Sequence, residues 1–193
     1  LVSNTAVAAK HDVTYVVATD GTETLVLAEA LAEKVLGDGW QLGQTFAGKD
    51  LEFWRYARPF ELVEFPDVVG GTHYVILADY VTTEDGTGLV HEAPAFGEDD
   101  MISCRAYGLP MVNPILPDGT FEPGTPLVGG VFFKTADRTL VNDLDKRGLL
   151  FREQPYEHSY PHCWRCDTAL LYYAQPSWYI RTTQIKDALL REN

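Results

Sequence analysis

Residues 85–100 read DGTGLVHEAPAFGEDD and form the densest run of chemically informative side chains in the sequence. The run joins a glycine-punctuated turn, a strand end at His91, a proline-containing loop and an acidic helix start at 98–100. Glycines allow a ligand to approach the backbone closely, and a strand end and the next helix start can converge on one cavity. In such a cavity His91 would orient water or shape the wall, and Asp100 would pair with a ligand cation such as an α-ammonium.

The same residues also allow a purely structural interpretation. A lone histidine is commonly a satisfied structural residue rather than a catalytic one. The three carboxylates at 98–100 are also what the positive end of a helix dipole attracts. Both interpretations of this run stay open on the residues alone.

Short strand signals surround the run and indicate the fold class. A β-branched stretch at 13–18, a turn and a second stretch at 24–27 predict a hairpin, and the apolar run at 74–78 predicts a central strand. Helices are predicted at 28–36, 98–107 and 136–147, with a last one starting near Ile185. Many short strands with few helices predict a mainly β protein with peripheral α, built as a closed β-barrel.

The net charge of −13 over 193 residues is unevenly distributed. Residues 1–100 carry 5 basic and 18 acidic side chains, whereas residues 101–193 carry 10 of each. Because nucleic-acid affinity comes mainly from Lys and Arg at phosphates, this balance argues against a broad phosphate-binding surface.

Targeting signals and cysteine use bear on the compartment. No apolar run approaches the roughly 20 residues of a membrane span, and no signal peptide opens the chain. Three cysteines do not make a secreted disulfide framework, so we expect a reducing, cytoplasmic location. Because the chain opens on Leu1 rather than Met, we also expect it to be cut from something larger.

Cys163 and Cys166 form a C-x-x-C with the spacing of one zinc knuckle. A structural zinc needs four ligands, and His158 and His162 would complete the set only in a crowded arrangement. We therefore expect half of a zinc site whose other half lies outside this chain. The alternative is a pair of ordinary thiols.

Several separated motifs together are specific for one family. GTGLVHEAP at 86–94 with the Asp pair at 99–100, LADYV at 77–81, HSYPHCWRC at 158–166 and SWYI at 177–180 occur in the family's order. On these motifs the whole chain resembles the editing domain inserted in bacterial isoleucyl-tRNA synthetases. The related valyl and leucyl enzymes share the Gly-Thr-Gly element, but His91 favours the isoleucyl member.

The resemblance implies an activity and a set of site residues. The activity is hydrolysis of valine wrongly esterified to the isoleucine tRNA, with Val-adenylate as a further substrate, by a positioned water and without a cofactor. The two catalytic positions would be Asp100, which binds the amino group, and His91, which lines the side-chain pocket. The remaining substrate-binding residues would be Asn4, Gly86, Thr87, Gly88 and Tyr160.

The resemblance also implies an architecture and partners. Residues 1–157 would be the editing β-barrel, and residues 158–193 would return the chain to a catalytic core whose own ATP signatures are absent here. Cys163 and Cys166 would bind zinc in the full-length enzyme with a second C-x-x-C outside this chain. The partners would be the aminoacylated terminal adenosine of tRNA(Ile), the valine moiety and the rest of the synthetase, with the fragment monomeric and away from membranes.

Two alternatives compete with hydrolytic editing. One is a non-catalytic module that only positions the 3′ end of the tRNA. The other is a zinc-stabilised structural connector, although the number of metal ligands argues against it.

Overall fold

The computed structural model describes residues 1–154 and 159–192. The strands are β1 (Ala6–Ala9), β2 (Thr14–Thr19), β3 (Thr24–Ala28), β4 (Gln41–Ala47), β5 (Val75–Leu77) and β6 (Val90–Glu92). The α-helices are α1 (Ala32–Leu36), α2 (Glu98–Ala106), α3 (Phe133–Lys146) and α4 (Thr182–Glu192), and short 3-10 turns precede α1 and follow β4. Among these residues no helix has the length and apolar character needed to cross a membrane.

The first sheet has the strand order β5-β1-β6 and carries His91. β1 lies in its centre, parallel to β5 and antiparallel to β6, with Val7 opposite both Val75 and His91. Ala6 and Ala8 are fully buried. Because β1 pairs on both sides, it fixes the position of β6 and therefore the position of His91.

The second sheet has the order β3-β2-β4. β2 and β3 pair antiparallel from Tyr15 opposite Ala28 to Thr19 opposite Thr24, so the predicted hairpin is confirmed. β4 pairs with the other edge of β2, with an irregularity between Val16 and Ala18.

The prediction of a closed β-barrel is wrong. The described residues form a mixed α/β structure with two separate three-stranded sheets, and β3, β4, β5 and β6 are sheet edges. Closing a barrel requires every strand to pair on both sides, which here only β1 and β2 do. Strand propensity is local, whereas the pairing of β1 with β5 joins residues 68 positions apart, such as Val7 and Val75.

The apolar run at 74–78 was expected to form a central strand and instead forms the edge strand β5. Its outer side is covered by an irregular segment rather than a strand, because Phe53 N–H donates to Val75 O and Val75 N–H donates to Trp54 O, both at 2.8 Å. The apolar run reports burial on both faces of β5, because Ile76 packs in one apolar cluster and Val75 and Leu77 pack against another.

The predicted helices are confirmed, and their ends lie within a few residues of the expected ones. Helix α3 covers the second half of the domain. Ala136, Leu140 and Leu144 lie on its buried face. They share one apolar cluster with Val2, Phe60, Ile115, Phe121 and Val128. This cluster packs Val2, near the chain start, together with α3.

The segment at 159–192 is largely exposed. It contains one isolated bridge, between His162 and Ala169, and α4 buries none of its side chains. One of its contacts with the body is the hydrogen bond that Ala174 N–H donates to Ala95 O at 2.8 Å. The expected boundary between residues 157 and 158 lies outside the described residues, so that division stays a prediction.

A close backbone approach joins the two sheets at Gly88. Ala28 N–H donates to Thr87 O at 2.8 Å, and the buried Tyr15 hydroxyl donates to Gly88 O at 2.7 Å. Gly88 has φ +74, and a Cβ there would lie 2.4 Å from Ala28 Cβ. Only glycine combines this conformation with this proximity.

We expect Gly88→Ala to destabilise the domain more than Gly86→Ala. Both glycines have φ +74, but a Cβ at Gly86 meets no atom within 4 Å. The shared backbone strain should lower the free energy of unfolding by about 1 kcal/mol in each variant. Overpacking against Ala28 should lower it by about 1–3 kcal/mol more in Gly88→Ala alone. Equal urea midpoints for the two variants would show that the Gly88–Ala28 contact does not hold the sheets together.

Candidate functional site

A cavity of about 430 Å³ lies between β6, the start of α2 and α3. His91 and Asp100 both line it, together with Leu1, Val2, Ser3, Ala93, Phe96, Gly97, Pro114, Ile115, Phe121, Phe133, Asp137, Leu140 and Leu171. The volume lies in the usual range for small-molecule clefts, and the lining is mostly apolar with a few polar groups. The structure therefore brings together the two residues predicted to be catalytic.

His91 is held in place by Asn4. The Nδ1 atom of His91 lies 2.8 Å from the Asn4 side-chain nitrogen, Nδ2, which also donates to Ala6 O at 2.9 Å. The Asn4 side-chain oxygen, Oδ1, accepts from the Tyr56 hydroxyl at 2.6 Å. Asn4 is buried and its amide bonds to the protein, so the structure places it behind His91 rather than on the cavity wall.

The environment of His91 keeps the imidazole neutral. Burial is the main cause that lowers its pKa, to about 3. A group with this pKa carries no charge at pH 7 and is a weak base. This favours hydrogen bonding and wall formation by His91 over proton transfer.

Asp100 lies in the first turn of α2, and backbone groups position its carboxylate. Asp100 Oδ2 accepts from Ala93 N–H at 2.8 Å. Gly97 precedes the helix, and a Cβ on it would lie 2.5 Å from Asp100 Oδ1. The carboxylate therefore packs directly over the Gly97 backbone. Since a carboxylate can accept about four hydrogen bonds, the Ala93 bond leaves capacity for a ligand.

Burial raises the pKa of Asp100 above its usual value, and the hydrogen bond from Ala93 opposes that shift. A half-buried carboxylate gains more from a cationic partner than an exposed one, because water screens the pair less. Asp100 is therefore suited to binding an ammonium group.

Glu92 follows His91 on β6, and its side chain lies on the opposite face of the strand. It is fully buried, and Oε1 accepts from the Tyr80 hydroxyl at 2.5 Å. Oε2 has no hydrogen-bond partner among residues 1–154 and 159–192. Burial raises the pKa of Glu92 to about 7, and Asp100 and Asp99 act in the same direction. Protonation of Glu92 therefore reduces the negative charge behind Asp100 below neutral pH.

Sequence reasoning missed Asp137, a second carboxylate on the cavity wall. Asp137 lies on α3 between Phe133 and Leu140, and all three line the cavity. The i, i+4, i+7 spacing of these residues was the available signal, because it places them on one helix face. Asp137 is exposed, whereas Asp100 is half-buried, so Asp100 is the better ammonium partner of the two.

The other residues predicted to bind substrate lie away from the described cavity wall. Gly86, Thr87 and Gly88 form the junction between the sheets, and Thr87 O and Gly88 O are already hydrogen-bonded there. Tyr160 packs near α3, with Lys134 Nζ 4.1 Å from its ring centroid. Their substrate-binding roles stay predictions.

Cys163 and Cys166 lie on a tight turn. Asp167 N–H donates to Cys163 O at 2.8 Å, and Cys163 N–H donates to Thr168 O at 2.9 Å. The Cys166 thiol lies 3.2 Å from Thr168 Oγ1, and this hydrogen bond lowers the pKa of Cys166. Within the described ranges no group of three or more metal-ligating side chains occurs, so this turn offers two ligands. His158 lies outside the described residues.

Comparisons with known proteins identify the family. No protein-family model matches the chain. It is 72% identical to the isoleucine–tRNA ligase of Streptomyces coelicolor, 67% to that of Thermobifida fusca and 45% to that of Thermus thermophilus. Each match covers all of this chain but 18% of the relative's length.

A structural comparison identifies the fold. A crystal structure of the leucyl-tRNA synthetase CP1, GlLeuRS-CP1, matches with a TM-score of 0.61 at 14% identity, covering 80% of this chain and 79% of that one. The sequence identities and this likeness of fold agree with the motif resemblance. The chain belongs to the isoleucine–tRNA ligase family and has the fold of GlLeuRS-CP1.

Proposed function

We propose that this chain is the hydrolytic proofreading domain that removes valine from mischarged tRNA(Ile). The observation that carries the proposal is the cavity in which the Asp100 carboxylate and the neutral His91 ring face one space. An aminoacyl ester offers an ammonium group for Asp100 and an apolar side chain for the remaining wall. Membership of the isoleucine–tRNA ligase family supports the choice of substrate.

The rigidity of the His91 wall supports discrimination against isoleucine. A synthetic site gains only about 1–3 kcal/mol from one methylene, so a second site that admits only the smaller side chain is needed. The hydrogen bond to Asn4 at 2.8 Å orients the His91 ring. In this proposal the oriented ring overpacks against isoleucine and leaves room for valine.

The proposed reaction is ester hydrolysis by a held water. The water oxygen bonds to the ester carbonyl carbon, and the bond from that carbon to the ribose oxygen breaks. One water proton ends on the ribose oxygen. Asp100 fixes the substrate through its ammonium group, and His91 acts as a neutral hydrogen-bonding wall, since its pKa is about 3.

The partners follow from this reaction. The cavity needs only the aminoacylated terminal adenosine, while the rest of the tRNA is held by the remainder of the synthetase. The charge of −13 then predicts weak, salt-sensitive binding of tRNA to this chain alone.

Zinc belongs to the full-length enzyme in this proposal. Cys163 and Cys166 would supply two thiolate ligands from their turn, and a second pair outside this chain would supply two more. The metal would stabilise the return segment, and no step of the hydrolysis uses it.

Asp100→Asn should strongly reduce release of valine from Val-tRNA(Ile), whereas Asp137→Asn should keep most of it. Both side chains line the cavity, but only Asp100 is half-buried and held by backbone. Losing a charge-assisted bond of about 1.5–3 kcal/mol predicts a fall in kcat/KM of about 10- to 100-fold or more. The measurement is deacylation of radiolabelled Val-tRNA(Ile) by the two variants under identical conditions.

The reverse pattern, with Asp137→Asn inactive and Asp100→Asn active, would move the ammonium site to α3. Tight tRNA binding without any valine release by the unmodified chain would favour the non-catalytic 3′-end module instead.

Asp99 provides a further control, because it is an exposed carboxylate beside Asp100 in the first turn of α2. Asp99→Asn should be fully active.

Deacylation should fall on acidification at a pH above the usual titration range of aspartate. Asp100 must be ionised to bind ammonium, and burial raises its pKa, so it is protonated as the pH falls through that raised value. His91 stays neutral across this window because its pKa is about 3. The measurement is kcat/KM against pH.

Glu92→Gln provides the control for this profile. Glu92 is a second nearby group that titrates, with a pKa of about 7. The acid limb should persist in Glu92→Gln. If the limb disappears in this variant, Glu92 and not Asp100 is the group that controls the pH dependence.

A further inference from the structure

The side-chain amide of Asn4 has protein partners on both of its polar atoms. Nδ2 lies 2.9 Å from Ala6 O and 2.8 Å from His91 Nδ1, and Oδ1 lies 2.6 Å from the Tyr56 hydroxyl. The Asn4 backbone is also held, because the ring of His73 places Nε2 3.0 Å from Asn4 O. Asn4 is 2% exposed, so these contacts form in a buried setting.

The chemistry of these partners fixes the orientation of the amide. Ala6 O can only accept, so the group that faces it must be the Asn4 NH₂. Burial raises the pKa of Tyr56, so its hydroxyl stays protonated and donates to Oδ1. A flipped amide would place Oδ1 against Ala6 O, where two acceptors face each other, so the hydrogen bond to Ala6 O would be lost.

The orientation of Asn4 in turn fixes the tautomer of His91. The two NH₂ hydrogens point to Ala6 O and to His91 Nδ1, so Nδ1 must accept and carries no proton. In a neutral imidazole the proton then lies on Nε2. Nε2 has no hydrogen-bond partner in the described parts of the chain, and the ring lines the cavity.

We propose that Tyr56 and Asn4 are positioning residues that hold His91 as the Nε2–H tautomer, so that the cavity receives a fixed neutral hydrogen-bond donor. This proposal rests on the proposed function. It predicts that His91 Nε2–H donates to an oxygen atom of the bound aminoacyl adenosine. A neutral donor polarises such an oxygen without repelling the ammonium that Asp100 binds. An imidazolium would instead place an Nδ1–H against the Asn4 NH₂.

The test is ¹⁵N NMR of the histidine ring nitrogens of this chain at pH 7, with His91→Gln assigning the signals. In the unmodified chain Nε2 of His91 should show the shift of a protonated nitrogen and Nδ1 that of an unprotonated one. Asn4→Asp should reverse this pattern, because a carboxylate accepts from both Tyr56 and an Nδ1–H. An Nδ1–H tautomer or an imidazolium in the unmodified chain would overturn the proposal.

Tyr56→Phe removes the hydroxyl that donates to Asn4 Oδ1 and leaves Asn4 itself unchanged. Losing one hydrogen bond of about 0.5–1.5 kcal/mol should give mixed tautomers of His91 and a fall in kcat/KM of about 2- to 10-fold. The matched control is Tyr74→Phe, since the Tyr74 hydroxyl lies 3.4 Å from Tyr107 O and not at Asn4. A pure Nε2–H tautomer in Tyr56→Phe would show that Tyr56 does not help to set the tautomer of His91.

Ligand titrations identify the acceptor oxygen. A nonhydrolysable amide-linked valyl adenosine analogue should shift His91 Nε2, and adenosine alone serves as the comparison. A shift with both ligands assigns the acceptor to the ribose, and a shift with the valyl analogue alone assigns it to the acyl carbonyl. If neither ligand shifts Nε2, the donor role is wrong.

The tautomer and the proposed function fail separately. If the unmodified chain has His91 as the Nε2–H tautomer but releases no valine, the positioning roles of Tyr56 and Asn4 stand and the proposed hydrolysis is wrong. If the chain releases valine while His91 is the other tautomer, the proposed hydrolysis stands and the positioning roles of Tyr56 and Asn4 are wrong.

Discussion

The close contact of Gly88 with Ala28 is the constraint from which the rest of the architecture follows. It brings the edge of the second sheet onto the turn that leads into β6, with no room for a side chain between the two backbones. The buried Tyr15 hydroxyl seals the junction by donating to Gly88 O. Two residues later β6 starts, and its pairing with β1 carries His91 to a defined place. A shift at the junction would therefore move the cavity wall.

The cavity combines two electrostatic environments within one short stretch. His91 is half-buried and stays uncharged, while Asp100 keeps a carboxylate at the start of a helix, where the dipole favours negative charge. The protonated form of Glu92 limits the repulsion behind Asp100. The site thus presents a half-buried carboxylate at Asp100 and an exposed one at Asp137 in an otherwise largely apolar space, which suits an amino acid ester with an apolar side chain.

Local sequence was sufficient where the relevant residues are neighbours in the chain. The hairpin of β2 and β3 and the helices α2 and α3 were predicted because their signals lie within a few residues of each other. His91 and Asp100 were predicted to meet because a strand end and the next helix start are joined by a short loop. Asp137 was missed because α3 is brought to this cavity by packing with apolar residues that lie far from it in the sequence.

The sequence by itself determined the family, the main helices and strands, and the presence of His91 and Asp100 at one cavity, since each of these rests on motifs or on local periodicity. Only the tertiary structure decided that the strands form two open sheets rather than a barrel, because strand pairing joins residues far apart in the chain. It also decided that the Asn4 amide bonds to His91, while the predicted contact of Asn4 with substrate stays a prediction. That bond depends on Tyr56 and Ala6 O lying on either side of one amide, an arrangement that no spacing in the sequence encodes.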